Sequence, residues 1–184
     1  MEHKAWHHFL TITQHKLLVM QNCFRVGLFK QGLLHDLSKY SPAEFLTGVH
    51  YYQGDRSPNA AEREEKGYSS AWLHHKGRNK HHFEYWIDFS RTSQGIAGAK
   101  MPVNYLVEMV MDRRAACMTY EGKNYTPASP LAYFSRSKER HFMHPQTARE
   151  LEFLLTMLKE KGEKETFAFI RSTVLTGKPF AEEI

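Results

Sequence analysis

Apolar residues recur at the spacing of an α-helix through almost the whole chain, and this periodicity most limits the folds open to it. Leu151, Leu154, Leu155 and Leu158 follow the i, i+3, i+4, i+7 pattern that places side chains on one helix face. No segment shows the alternation of apolar and polar residues that is typical of a strand. The sequence therefore predicts an all-α fold.

Glycine, proline and cap-forming residues divide the chain into predicted helices and loops. The helices cover about residues 4–26, 28–38, 42–52, 69–89, 102–120, 146–161 and 163–175. Residues 53–68 are polar and contain Gly and Pro, so we expect a surface loop there, either a lid over a site or a plain connection. A second loop is expected over 91–101. Residues 121–145 are expected to be irregular, with room for one short helix.

Length, charge and cysteine usage limit the classes of protein and partner. The 184 residues suit one domain. The two cysteines, Cys23 and Cys117, are far apart, which favours a reducing cytoplasm over an exported, disulfide-rich protein. No segment reaches the ~18 apolar residues of a membrane span, so we expect no membrane association. The net charge of +5 is scattered, which suits a small anionic substrate better than nucleic acid. A homodimer is one option for the assembly.

Histidine is abundant, and the pair His35-Asp36 is the first candidate site. The chain has 12 histidines, and imidazole serves metal binding and acid–base chemistry. The pair follows an apolar helical stretch, and a carboxylate buried there must be paired or bound to a metal ion. The alternative is that His35 ends one helix and Asp36 caps the next segment.

A histidine-rich segment over residues 72–86 is the second candidate. The residues that would share one face of a single helix are Trp72, His75, Asn79, His82 and Trp86. This face favours metal binding by His75 and His82, with His74 and His81 on the neighbouring face. An exposed polyhistidine face is the alternative. Gly77 costs up to ~1 kcal/mol relative to alanine inside a helix, and a break there would remove the shared face.

Two single residues complete the candidates. Asp112 lies among Val and Met one turn after Glu108, where an ion pair with Arg113 or Arg114 is the alternative to a metal. His15 lies on an apolar helix face, where a lone histidine is more often a core residue. We include His15 among the candidate site residues because it occurs together with the other three candidates.

The order of these residues resembles the HD superfamily of metal-dependent phosphohydrolases. That order is His15, then His35-Asp36, then the histidine-rich segment, then Asp112, each on a different predicted helix. The resemblance covers roughly residues 10–120. It implies an HD-domain-like helical bundle of five core helices plus C-terminal helices, with the metal site in 1–120 and an extension over 121–184. The elements His-Asp-Leu-Ser-Lys and His-His-x-x-x-Asn-x-His-His also resemble a small uncharacterised bacterial and phage family near the HD proteins.

The resemblance also implies roles for single residues. The implied metal ligands are His15, His35, Asp36, His75, His82 and Asp112, with His74 and His81 as the other histidine pairing. Asp36 would bridge two ions and act in catalysis together with Lys39, which would hold an anionic substrate oxygen. From their residue types, Arg78 is expected to neutralise substrate charge, together with Arg56 and Lys66 of the loop, and Asn79 to orient a ligand or the substrate.

The resemblance and the ligand types together predict a function. Imidazole and carboxylate suit Fe, Mn, Co, Ni or Zn, bound as one or two ions. The expected reaction is hydrolysis of a phosphate ester, of a nucleotide or another small phosphorylated metabolite. Two alternatives are an HD-type di-iron oxygenase acting on a small polar substrate and a non-catalytic metal-binding or interaction protein.

Overall fold

Helices dominate the computed structural model, which describes residues 2–90, 95–137 and 139–181. The helices of these residues are α1 (Glu2–Arg25), α2 (Phe29–Leu34), α3 (Pro42–His50), α4 (Pro58–Lys66), α5 (Ser70–Lys76), α6 (Val103–Glu121), α7 (Ser129–Arg136) and α8 (Pro145–Ser172). Short 3₁₀ segments include Leu37–Tyr40 after α2 and Phe83–Trp86 after α5. The prediction of a mainly all-α fold is confirmed.

Helix α6 is central to the hydrophobic core. It packs against α1, α7 and α8, and its Leu106, Val107 and Met111 are completely buried. Leu151, Leu154 and Leu155 of α8 belong to the same apolar cluster. Burying one such side chain contributes about 1.5–3 kcal/mol. Residues before and after position 120 therefore share one core.

The predicted helix over 69–89 is wrong beyond its first two turns. Helix α5 begins after Ser69, whose hydroxyl accepts a hydrogen bond from the backbone of Trp72 at 3.0 Å, and it ends at Gly77. The chain then turns, and His82 has extended backbone angles before the 3₁₀ segment. A glycine stabilises a helix interior poorly, so the helix ends there. The predicted face from Trp72 to Trp86 does not form.

Two segments predicted as loops contain regular structure. Within 53–68, helix α4 begins at Pro58 after Ser57, because proline fits the first helical position. Within 91–101, residues 91–94 lie outside the described part of the chain, and Gly95–Gly98 forms a strand. This strand pairs antiparallel with Ile87–Ser90 in a small hairpin that the helical periodicity of the sequence does not predict.

The closing helix is bent at the boundary that separates the two predicted helices over 146–161 and 163–175. Helix α8 spans both, but Gly162 has φ 73° and ψ −179°, outside the helical region. Glycine adopts a positive φ without the steric cost of a Cβ atom.

Among the described helices, none is long and apolar enough to cross a membrane.

Candidate metal centre

Asp36 enters the interior through an abrupt change of backbone direction after α2. Helix α2 ends at Leu34, and Asp36 adopts the left-handed conformation with φ 54° and ψ 23°. Lys16 on α1 holds this turn, because its ammonium donates to the carbonyls of Leu33 at 2.7 Å and His35 at 3.0 Å. Left-handed backbone costs a residue other than glycine roughly 1–2 kcal/mol. The Asp36 side chain caps no helix and is only 2% exposed.

The first donor group joins α1, the turn after α2, and α6. It consists of His15, His35, Asp36 and Asp112, each with a donor atom within 4.8 Å of the others. Nε2 of His15 lies 2.9 Å from Oδ1 of Asp112, and Nε2 of His35 lies 3.3 Å from Oδ2 of Asp36. Nitrogen and carboxylate donors at this spacing could hold a metal ion.

The second donor group shares Asp36 and takes its histidines from α5 and the turn that follows it. It consists of Asp36, His75, His81 and His82. Oδ1 of Asp36 lies 3.3 Å from Nε2 of His75 and 3.4 Å from Nε2 of His81. The two oxygens of one carboxylate thus face different histidine pairs. This group could also hold a metal ion.

Two buried glutamates orient the histidines from behind. Oε1 of Glu108 accepts hydrogen bonds from Nδ1 of His35 at 2.9 Å and of His81 at 3.1 Å. Oε2 of Glu44, on α3, accepts from Nδ1 of His75 at 2.8 Å. An N–H at Nδ1 leaves the lone pair of a neutral imidazole on Nε2, the atom that faces Asp36. Carboxylates commonly fix metal-binding histidines in this way.

The inner atoms of the cluster lack hydrogen-bond partners, which tests whether these residues fit a metal ion. Within the described residues, Oδ1 of Asp36 and Nε2 of His35, His75 and His81 are buried without one. Stranding such groups costs about 1–3 kcal/mol each. In neutral imidazoles these Nε2 atoms would be acceptors facing a carboxylate, which is also an acceptor; without an ion, the raised pKa of His35 corresponds to a proton in that place. A cation in each donor group would satisfy these atoms, and the residues fit a metal ion.

The charges of the cluster shift its pKa values strongly. Burial alone would raise the pKa of Asp36, but His35 and Lys39 hold it well below its usual range. Burial lowers the pKa of His35, yet Asp36 and Asp112 bring it well above its ordinary value. The pKa of His82 is well below normal because of its burial and the neighbouring His81 and His75. The carboxylates therefore attract positive charge into this space.

The cluster opens on a cavity of about 510 Å³. From the cluster, the cavity is lined by His15, Lys39, His75, His81, His82 and Asp112. The ammonium of Lys39 lies 2.6 Å from Oδ2 of Asp36. Arg56 also lines the cavity, held by Glu64 through hydrogen bonds of 2.7 and 2.9 Å. The cavity has the size of a small-molecule site, and Lys39 and Arg56 add positive charge to its lining.

Most of the residues predicted for the site come together, and two do not reach the cavity. His15, His35, Asp36, Asp112, His75 and His82 all belong to the donor groups. Arg78 is exposed outside the cavity, with a hydrogen bond to the carbonyl of His74 at 3.2 Å. Asn79 is buried and donates to Ser38 at 2.8 Å and to the carbonyl of His75 at 2.9 Å. Both were predicted to contact substrate, on the assumption of a continuous helix past Gly77.

The donor groups include residues from both predicted histidine pairings. His81 joins the second donor group, whereas His74 points to Oε1 of Glu44 at 2.6 Å. Glu108 could have been found from the sequence, since it precedes the buried Asp112 by one helical turn. Glu44 carries no such signal, because a glutamate three residues after Ser41 is typical of an ordinary helix start.

The fold and the cluster define a class: an all-α protein with buried histidine and carboxylate groups that could hold a metal ion. The chain matches the family of unknown function DUF5662 over residues 4–157 and belongs to that family. This match contains every residue of both donor groups. No curated protein and no solved structure matches the chain.

Proposed function

We propose that this protein is a metal-dependent phosphohydrolase that acts on a nucleotide or another small phosphorylated metabolite. The observation that carries the proposal is the sharing of Asp36 between two donor groups beside a cavity of about 510 Å³. One carboxylate between two histidine sets is suited to bridge two ions. The order of His15, His35-Asp36 and Asp112 supports placing the chain with the HD superfamily as part of this proposal.

The donor atoms restrict the metal to the transition series. Imidazole nitrogen with carboxylate oxygen suits Fe, Mn, Co, Ni or Zn, whereas Mg and Ca prefer oxygen ligands alone. Ions bound there would supply a nucleophilic water near neutral pH and polarise a phosphoryl oxygen. We propose one ion at His15, His35, Asp36 and Asp112, and a second at Asp36, His75, His81 and His82.

Lys39 and Arg56 would bind the anionic part of the substrate. The Lys39 ammonium reaches both Asp36 and the cavity, so it can hold a phosphoryl oxygen beside the cluster. Its charge is secure, because Asp36 and Asp112 raise its pKa despite the burial that lowers it. The Arg56 guanidinium would neutralise a second anionic oxygen. A small anionic substrate also agrees with the net charge of +5.

Metal content and turnover on the same sample test the proposal. Untagged protein, purified without chelator and without oxygen, should hold one or two transition-metal ions per chain. It should hydrolyse 4-nitrophenyl phosphate or a nucleoside 5′-monophosphate, and lose this activity with EDTA. Metal-loaded protein that hydrolyses no phosphate ester would overturn the proposal. Oxygen uptake by an iron-loaded sample would support the oxygenase instead.

Lys39→Met tests the substrate-binding role separately from metal binding. Removing a positive charge that holds the reacting phosphoryl group should lower kcat/KM about 10²–10³-fold. Metal content should stay unchanged, because Lys39 donates no ligand. Lys161→Met, an exposed lysine on α8, is the matched control and should leave kcat/KM unchanged. Equal kcat/KM in the wild type and Lys39→Met would contradict this role.

A further inference from the structure

His8 is a buried histidine in the same cavity that the metal cluster does not use. It lies on α1, two helical turns before His15, so both side chains project from the same face. The two positions are about 10 Å apart along the helix. His8 is 6% exposed and lines the cavity. It is therefore near the substrate space but too far from the cluster to join it.

The imidazole of His8 has an unsatisfied nitrogen. Nδ1 is buried and, among the described residues, has no hydrogen-bond partner. Burial and the charge of Lys39 lower the pKa of His8 to about 4, so the ring is neutral at neutral pH. A neutral imidazole has one N–H donor and one nitrogen acceptor. A buried polar atom without a partner costs free energy, and a ligand in the cavity can supply that partner.

The surroundings of His8 are shaped to leave room for its ring. On α3, the Cβ that alanine would add at Gly48 would lie 2.2 Å from Nε2 of His8. The rings of Phe45 and Tyr52 lie 5.3 and 5.8 Å from the imidazole, measured between centroids. The hydroxyl of Tyr52 already pairs with Thr11 at 3.1 Å. Within this pocket of rings, His8 supplies the polar group that is still available.

We propose that His8 is a specificity-determining residue, which hydrogen-bonds to the part of the substrate that lies away from the scissile phosphate. This inference rests on the proposed phosphohydrolase function, which puts the phosphate at the metal cluster. The group bound by His8 is then the nucleoside of a nucleoside monophosphate, whose flat polar base can lie against Tyr52, which also lines the cavity. Gly48 is a positioning residue, because it lets the imidazole reach this place.

Calorimetry with two probes separates this role from metal chemistry. The metal-loaded protein is titrated with each of the four common ribonucleosides and, separately, with inorganic phosphate. The wild type should bind at least one nucleoside. His8→Leu should raise the dissociation constant of that nucleoside about tenfold, the typical loss of affinity for one hydrogen bond to a buried group. Phosphate binding and metal content should not change.

Three further variants distinguish recognition from packing. His8→Asn keeps a polar atom near the place of Nδ1 and should restore most of the nucleoside affinity. Gly48→Ala should reproduce the loss in His8→Leu, because it displaces the ring. His7→Leu, at the exposed neighbouring histidine, should bind like the wild type. Thermal unfolding of each variant checks that all are folded.

Each result decides the inference. A wild type that binds no nucleoside, or a His8→Leu that binds nucleoside as the wild type does, would overturn it. Equal loss of nucleoside and phosphate would also overturn it, by indicating general damage to the cavity. Nucleoside binding that depends on His8 in a protein without phosphatase activity would leave this subsite standing and reject the phosphohydrolase proposal.

Discussion

Two buried carboxylates, Glu62 and Asp36, have opposite surroundings. Glu62, on α4, is completely buried and accepts hydrogen bonds from the hydroxyls of Ser69 and Ser70, each at 2.6 Å. Asp36 is equally buried but faces the Nε2 atoms of four histidines, with Lys39 as its cationic partner. Glu62 is therefore surrounded by hydrogen-bond donors, whereas Asp36 faces mainly nitrogen atoms that act as acceptors in a neutral imidazole.

The difference indicates which carboxylate serves structure and which serves ligand binding. A buried carboxylate with enough donors is satisfied and stabilises the local fold. One that faces imidazole nitrogens, with Lys39 at a single oxygen, is fully satisfied when a metal cation also enters. Because Glu108 and Glu44 take the N–H groups of His35, His81 and His75, the acceptors around Asp36 are a consequence of the fold.

The largest effect should come from Asp36. Asp36→Ala removes the one carboxylate common to both donor groups, so the protein should retain no metal ion where the wild type retains one or two. Elemental analysis of dialysed protein measures this. Asp36→Asn keeps the side-chain shape and provides a second test if the alanine variant does not fold.

Glu62→Gln and Asp88→Asn are the controls for this comparison. The first changes a buried carboxylate outside the cluster, and the second changes an exposed aspartate on the strand Ile87–Ser90. Both should keep the metal content of the wild type. Full metal content in a folded Asp36→Ala protein would refute the assignment of Asp36 as a ligand.

Glu108→Gln should have the next largest effect. An amide in place of the carboxylate weakens the hold on His35 and His81, and changes of this kind typically cost 10–100-fold in metal affinity. Competition with a fluorescent chelator measures the affinity. Glu160→Gln, at an exposed position of α8, is the matched control. Unchanged metal affinity in Glu108→Gln would mean that metal binding by these histidines does not depend on a carboxylate at their Nδ1 atoms.

The smallest effect should come from Glu62→Gln, through stability and its dependence on pH. Burial raises the pKa of Glu62, but hydrogen bonds from Ser69 and Ser70 bring it to about 2, below its ordinary 4.5. A depressed pKa stabilises the fold above pH 4.5, and this contribution is lost as the pH falls toward 2. The variant should melt a few degrees below the wild type at pH 7. The gap should close in acid, and a gap independent of pH would contradict this role.

The sequence was informative wherever a candidate residue lay on a regular helix. His15 and Asp112 lie on α1 and α6 close to their predicted bounds, and helical periodicity places such side chains correctly. His35-Asp36 could be singled out because a charged residue followed an apolar stretch. The left-handed backbone of Asp36 could not, since it depends on tertiary contacts such as those of Lys16.

Prediction failed where the chain reverses direction. Periodicity assumes one continuous element, so it placed His75 and His82 on a face that the turn after Gly77 removes. The same turn brings His81 beside them, since Arg78 and Asn79 donate backbone hydrogen bonds back to His75 at 3.0 and 3.1 Å. Helix α4 was missed because its sequence is mostly polar and it buries only Ala61 and Glu62.

The donor groups draw their atoms from α1, the turn after α2, α5 with the turn after it, and α6. An ion in the first donor group would act as a cross-link between α1, the turn after α2, and α6, which are far apart in the sequence. Such a cross-link can form only after α1 and α6 have packed together, so the ion would enter late in folding. Once bound, it would slow the opening of the N-terminal helices, and their amides would exchange hydrogen more slowly with metal than without.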